Sequence, residues 1–300
     1  MNSDGTGQLN RLFWATDGYS ARYRSSPVLG VITCVTKALI SSRGCSPLSV
    51  AYCEMSKMPD DLLLSLVIPA YNEEKRIGSS LAQIIAYFQR NGYSYELIVV
   101  DDGSTDRTVE IVKELIAGIQ NGRLLCASHG GKGAAVRKGV LSTEGQYVFF
   151  TDADLSTPIT ELDKFLEQFN QGYEVVIGSR RTAGANIEVH QSWLRESMGK
   201  VFTWLTNVIL TKNLSDVTCG FKGFSRPVAQ EVFGRQQVND WSFDAEVLFL
   251  AQKYGYSIKE VPVHWRNDPA TKVNLLKDTV RSFLGLLKIR ANDWRGKYLK

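Results

Sequence analysis

The chain is 300 residues long, 44% hydrophobic and 22% charged, with 25 Gly and 8 Pro. That composition excludes collagen-like, low-complexity and wholly disordered chains and leaves room for one large or two small domains. Thirty-five Lys and Arg against 31 Asp and Glu give a net charge of +4, too small to mark a nucleic-acid binder. Cys34, Cys45, Cys53, Cys126 and Cys219 form no C-x-x-C pair and no zinc-spaced set with His, so reduced thiols in a reducing compartment are expected.

Residues 1–60 mix Ser, Gly, Arg and isolated aromatics such as Trp14, Tyr19 and Tyr23 without sustained periodicity; a poorly ordered N-terminal extension is expected. The apolar stretch from Val28 to Ile40 carries Lys37 and falls short of the ~20 apolar residues of a bilayer span. Its upstream arginines are scattered rather than arranged as in a signal peptide. No transmembrane helix is expected. The patterned sequence begins just past Met55 and Met58, which makes that point a candidate natural start.

From Leu62 the grammar becomes α/β. LLLSLVIP (62–69) and YELIVV (95–100) have the length and β-branched content of buried strands. Between them Ile77, Leu81, Ile84, Ile85 and Phe88 recur at helical spacing over 74–90. The alternation continues with a helix over 108–119, a strand over 123–128, a helix over 133–141 and a strand over 146–150. Such a pattern predicts a mostly parallel sheet with helices on both faces and right-handed crossovers, with ligands bound beyond the carboxyl ends of the strands.

Three of these strand exits are acidic: Glu73-Glu74 after the first, Asp101-Asp102 and Asp106 after the second, Asp152-Ala153-Asp154 after the fourth. One such Asp is ordinarily a helix cap. Three on one edge suit a nucleoside, whose ribose hydroxyls and imide N–H donate to carboxylates. Two carboxylates one residue apart repel unless a divalent cation bridges them, and hard oxygen donors select Mg²⁺ or Mn²⁺. HGGKG (129–133) lacks the Ser/Thr of a P-loop, and Val136 stands where a dinucleotide fingerprint needs its third glycine. What it leaves is a Gly-rich turn feeding a basic helix start at Lys132, compatible with a pyrophosphate or with plain loop chemistry.

Taken together, VIPAYNEE (67–74), VVDDGSTD (99–106), GKGAAVRKG (131–139) and TDADLS (151–156) resemble the family-2 inverting glycosyltransferases of GT-A fold. GSRR (178–181), SDVTCGFKGFSR (215–226), WSFDAEVLFLA (241–251) and VPVHWRNDPATKV (261–273) resemble the dolichyl-phosphate β-glucosyltransferase branch. The resemblance implies a GT-A domain over residues 61–270, an α/β Rossmann-like nucleotide-diphospho-sugar transferase fold that carries glucose from UDP-glucose to a polyprenyl phosphate. It also implies roles. Asp152 and Asp154 hold Mg²⁺ or Mn²⁺ against the diphosphate. Pro69, Tyr71, Glu73, Asp101, Asp102 and Lys132 bind the nucleotide. Arg180, Arg181, Lys222 and Lys272 receive the acceptor phosphate, Arg180 and Lys272 foremost. Asp244 and Glu246 stand where many family members keep a catalytic acid, and that residue, Asp244 foremost, is here expected to orient a sugar hydroxyl or Arg180. Ser215 replaces a basic residue frequent in the family, Asp216 is a second-tier candidate for positioning that loop, and Cys219 is expected to be packed rather than nucleophilic.

A phosphate acceptor is already ionised near neutral pH, so attack needs no general base and the protein's task is charge management. A lipid acceptor also requires a membrane surface. Residues 271–300 hold eight basic and two acidic side chains, with an apolar stripe at Leu276, Val280, Phe283, Leu284 and Leu287. This basic amphipathic segment is expected to meet an anionic membrane peripherally, on the cytosolic face where nucleotide sugars and reduced thiols occur. The helical spacing of Trp193, Leu194, Met198, Val201, Phe202, Leu205, Val208 and Ile209 predicts a core helix. A GDP-mannose-dependent relative is the nearest alternative. A non-catalytic sugar-nucleotide binder has no need of both Asp152 and Asp154, and the failed glycine fingerprint and absent G-x-S-x-G disfavour oxidoreductase and hydrolase readings.

Overall fold

A computed structural model describes residues 62–267 and 275–299, without the side chains of 275–280. The expected extension over 1–60, and Lys272, lie outside the described residues. The first half runs β1 (Leu64–Ala70), α1 (Ile77–Asn91), β2 (Tyr95–Asp101), α2 (Thr108–Ile116), β3 (Gly122–Cys126), α3 (Lys132–Val140) and β4 (Tyr147–Phe150), the expected alternation with ends displaced by up to three residues. It continues through α4 (Leu162–Asn170), β5 (Val175–Ser179), β6 (Asn186–Val189), α5 (Trp193–Ile209), β7 (Lys222–Ser225), α6 (Arg226–Arg235), α7 (Phe243–Lys253), β8 (Ile258–Pro262), β9 (His264–Arg266) and α8 (Leu275–Trp294).

Seven strands form one sheet in the order β3-β2-β1-β4-β7-β5-β8, and β6 pairs with β9 separately. All neighbours in the large sheet are parallel except β7, which runs antiparallel between β4 and β5. Consecutive apolar residues of a strand point to opposite faces, and both faces here are covered. Val67, Ile98, Val100 and Phe150 join one core with α3, α6 and α7. Leu66, Ile68, Leu97, Val99 and Phe149 join another with α1 and α4. That two-sided burial explains why these strands read as continuous apolar runs rather than alternating ones. At Gly139 an added Cβ would fall 2.3 Å from Val67 Cγ1, so glycine is what lets the C-terminal end of α3 press onto β1.

The core-helix expectation for α5 is corrected by the structure. Its buried side chains are Phe202, Thr203 and Thr206, whereas Trp193, Trp204 and Val208 keep 77%, 62% and 64% of their exposure. Periodicity identifies a face of a helix but not the medium that face meets.

Candidate active site

The β1 and β2 exits lie side by side because Ala70 pairs with Asp101 at the ends of the two strands. The Asp101 carboxylate is turned back on its own loop, accepting from the N–H groups of Gly103 (3.2 Å) and Ser104 (3.2 Å), an Asx turn that shapes the exit. Asp102 reaches across to the loop before α3, where its two oxygens accept from Gly130 N (2.7 Å) and Gly131 N (3.0 Å), with His129 Nδ1 2.9 Å away. The His129 ring stacks on Tyr71 at 4.3 Å between centroids, and both side chains keep part of their surface exposed. Glu73 is nearly buried and its carboxylate pairs with Arg76. Asp101, Asp102 and Glu73 therefore shape this edge of the sheet, each with its charge already engaged by the protein.

Asp152 and Asp154 follow β4. Asp152 Oδ1 lies 2.5 Å from Lys132 Nζ and its side chain retains 35% exposure, enough to face a ligand. Behind it stands Gly220, where a Cβ would come within 2.0 Å of Asp152 Oδ2. Burial works to raise the Asp152 carboxyl, but Lys132, with Lys222 and Arg180 beyond it, outweighs that and holds it below the usual carboxylate range. Asp154 accepts from Ser156 N at 3.0 Å and lies 3.7 Å from Arg76. Burial and the neighbouring charge of Asp152 push it upward. Two carboxylates in mutual repulsion, one of them short of compensation, are a donor set that a divalent cation relieves. Among the described residues no group of three or more His, Cys, Asp or Glu converges to hold a metal. The pair thus fits Mg²⁺ or Mn²⁺ in the mode where substrate phosphates and water complete the shell.

On the other side of Gly220, Arg180 forms a forked pair with Asp216, Nε to Oδ2 at 2.7 Å and Nη2 to Oδ1 at 2.8 Å, and Nη2 also donates to Thr218 Oγ1 at 2.7 Å. Trp265 lies under the guanidinium, 5.3 Å from its carbon. Asp216 is completely buried; burial opposes its charge, yet Arg180 and Arg181 hold it far below the ordinary carboxylate value. Asp216 is in turn fixed by Glu260 of β8, which accepts from the Ser215 and Asp216 N–H groups at 3.0 and 3.1 Å. Arg181 donates to Thr203 Oγ1 and the Ser215 carbonyl at 2.8 and 2.9 Å, spanning from β5 to α5. The residue orienting Arg180 is therefore Asp216, not Asp244.

Lys222 requires a second correction. It has no exposure, and its ammonium donates to Asp244 Oδ1 and the Cys219 carbonyl, both at 2.5 Å. Standing on β7 between the sheet and α7, it neutralises Asp244 rather than facing an acceptor. Cys219 is buried and packed as expected, its thiol pushed up by burial and Asp216. Sequence reasoning missed Gly220 and Arg195 of α5. Burial and Arg180 lower the Arg195 guanidinium while Asp154 opposes them, so its charge is felt at both groups. It also missed Arg266, which lines a cavity of about 410 Å³ with Asp154, Ser156, Gln83 and Glu188. Gly220 and Arg266 lie inside the sequence blocks 215–226 and 261–273 but carry no side-chain signal that singles them out there, and Arg195 lies outside every block.

A sheet with this strand order, an acid pair at the β4 exit and a lysine-tipped helix facing it is the frame of a GT-A glycosyltransferase. Residues 65–233 match the family described as Glycosyl transferase family 2, and the chain belongs to that family. Among similar proteins, "Dolichyl-phosphate beta-glucosyltransferase ALG5D" of Trichomonas vaginalis is 33% identical over 248 residues, 77% of this chain and 75% of that protein. The "Dolichyl-phosphate beta-glucosyltransferase" of Saccharomyces cerevisiae is 30% identical over 80% of this chain and 77% of its own length. A crystal structure of glucosyl-3-phosphoglycerate synthase from Mycobacterium tuberculosis, in complex with Mn²⁺, UDP-glucose and phosphoglyceric acid, shares the fold. Its TM-score is 0.57 at 18% identity, over 76% of this chain and 80% of that one.

Proposed function

We propose that this chain transfers glucose from UDP-glucose to dolichyl phosphate with inversion, on the cytosolic face of a membrane. The observation that carries the reading is the Asp152–Asp154 pair, with Lys132 on one flank and the Arg180–Asp216 fork on the other. Pro69, Tyr71, Glu73, Asp101 and Asp102 are assigned to the nucleoside edge, where the partly exposed Tyr71–His129 stack lies beside Asp102. Asp152 and Asp154 would hold Mg²⁺ or Mn²⁺, which supplies neutralisation of the charge on the departing diphosphate. Lys132, at the first turn of α3, adds a cation and the helix N-terminus to the same end. Drawing a second phosphate beside the first costs Coulomb energy. Arg180, Arg181 and Lys272 are assigned to lower that cost, with Arg180 pre-aimed by Asp216. Asp244, neutralised by Lys222, is left to accept from a sugar hydroxyl rather than to take a proton from an acceptor that is already ionised.

The membrane reading rests on α5 and α8. The Phe202 and Phe283 rings lie 6.0 Å apart and Arg290 Nε donates to the Ile209 carbonyl at 2.9 Å. Residues seven apart on one helix thus meet residues seven apart on the other, and the two run side by side in the same direction. Trp193, Trp204 and Val208 of α5 and Leu284, Leu287 and Trp294 of α8 are all exposed, interspersed with exposed Arg281, Lys288 and Arg295. No helix among the described residues is long and apolar enough to cross a membrane. Two amphipathic helices with tryptophans and basic side chains suit a leaflet surface.

The test is to incubate the protein with UDP-glucose or GDP-mannose, Mg²⁺ or Mn²⁺ and dolichyl phosphate, and to look for lipid-linked sugar. Glucose transfer that is lost in Asp152→Ala and Asp154→Ala is expected. Failure with every donor, or full activity in those variants, overturns the reading.

A further inference from the structure

The last turn of the chain is folded inward. Gly296, at φ 73°, takes the left-handed conformation that ends α8 and sends the chain back. Tyr298 is consequently buried completely, while Trp294 and Leu299 beside it remain 81% and 67% exposed. The Tyr298 hydroxyl donates to Glu246 Oε1 and receives Asn292 Nδ2 at 3.3 Å. Glu246, itself without exposure, accepts from the N–H groups of Gln237 (3.0 Å) and Val238 (2.8 Å). Burial raises its carboxyl, and these three donors pull the other way.

The segment so held is the one that braces the Lys132 loop. Gln236 Nε2 donates to the carbonyls of Gly133 (2.9 Å) and Val238 (2.7 Å), and Gly133 N donates to the Asn239 carbonyl at 2.9 Å. A Cβ on Gly131 or Gly133 would come within 2.7 Å of Asn239 O or Phe243 Cβ respectively, so the two loops leave no slack. Lys132 stands between those glycines, 5.3 Å over the Trp241 ring and 2.5 Å from Asp152. A run of hydrogen bonds therefore leads from Tyr298 through Glu246 and the 236–239 segment to the backbone of Gly133, the residue next to the cation facing the acid pair.

We propose that Tyr298 and Glu246 are positioning residues for donor binding: together they fix the 236–241 segment, and through it the direction of Lys132. The inference rests on the reading that Lys132 meets the sugar-nucleotide diphosphate. Tyr298→Phe keeps the ring and its packing and removes one charge-assisted hydrogen bond, so a KM for UDP-glucose raised about tenfold is expected. The KM for dolichyl phosphate stays within twofold of the parent. A structural role alone would add its effect to any other change. In a Lys132→Met background, by contrast, Tyr298→Phe is expected to change the UDP-glucose KM no further.

Should Tyr298→Phe fold poorly, Asn292→Ala removes the hydroxyl's other partner and leaves the ring in place. It is expected to raise the same KM by a smaller factor. The full-length protein is used throughout, and UDP affinity is also read by titration with Mn²⁺ present. If the parent chain makes no lipid-linked glucose, the functional reading fails while the Tyr298 effect on UDP affinity still decides this inference. A UDP-glucose KM and UDP affinity unchanged within twofold in folded Tyr298→Phe overturns it. So does an effect of equal size with Lys132 absent.

Discussion

Gly220→Ala tests how closely the acid pair is held. The new Cβ would sit 2.0 Å from Asp152 Oδ2 and 2.7 Å from Asp152 Cγ. Unstrained carbon–oxygen contacts fall near ~3.4 Å, so the carboxylate must retreat by roughly 1.4 Å, away from the face it presents beside Lys132. Because the clash is with the end of a side chain, swinging it off its rotamer costs on the order of 1 kcal/mol, and the melting temperature should move by only a few degrees. Alignment pays far more, since a misplacement on the order of 1 Å is worth ~10²-fold in rate. The assay is glucose transfer to dolichyl phosphate over a series of Mn²⁺ concentrations, with thermal unfolding alongside. A kcat lowered about 100-fold and a markedly higher Mn²⁺ requirement are expected. Unchanged kcat and Mn²⁺ dependence in the folded variant would refute the claim that Asp152 must stand where Gly220 lets it.

The buried Arg180–Asp216 pair makes stability depend on acid. Asp216 titrates far lower in the folded chain than the ~3.9 of a free Asp, so its contribution is complete above that value and is lost as pH falls below it. The gap in denaturant stability between the parent and Asp216→Asn is expected to be widest near neutrality and to shrink from about pH 4 downward; a gap constant across that range would remove the pair as its cause. Replacing both Trp193 and Trp204 by Ser should weaken co-sedimentation with anionic vesicles while leaving the melting temperature nearly unchanged, because both rings are already in solvent. Undiminished vesicle binding would turn the membrane assignment away from α5.

The parallel half of the fold was legible because its strands are buried on both faces and its helices on one. The apolar runs at 62–69 and 95–100 and the spacing from Ile77 to Phe88 report burial directly. The acid pair was legible for a related reason: two carboxylates at a strand exit contradict their neighbourhood. Other features depend on partners that meet only in three dimensions. Lys222 lies in a sequence block that suggests a phosphate ligand, yet its neighbour is Asp244, 22 residues on. Asp216 looks like a loop residue until Arg180, 36 residues before it, closes the fork. For α5, the pattern of apolar residues was correct and its reading as a core face was not, since an exposed apolar face and a buried one share the same period.

The reversed strand β7 also bears on when this protein acquires its chemistry. Phe150, two residues before Asp152, is paired on one side with Val67 and on the other with Lys222, so the edge bearing the acid pair is completed only by chain made much later. A ribosome that has finished β4 has written the carboxylates but not the Cys219–Gly220 turn that seats them, nor Lys222 to settle Asp244. Non-local pairing of this kind forms late and slowly. The growing chain is thereby kept from assembling its charged pocket until β7 and α7 have been made, about 70 to 90 residues after the carboxylates themselves.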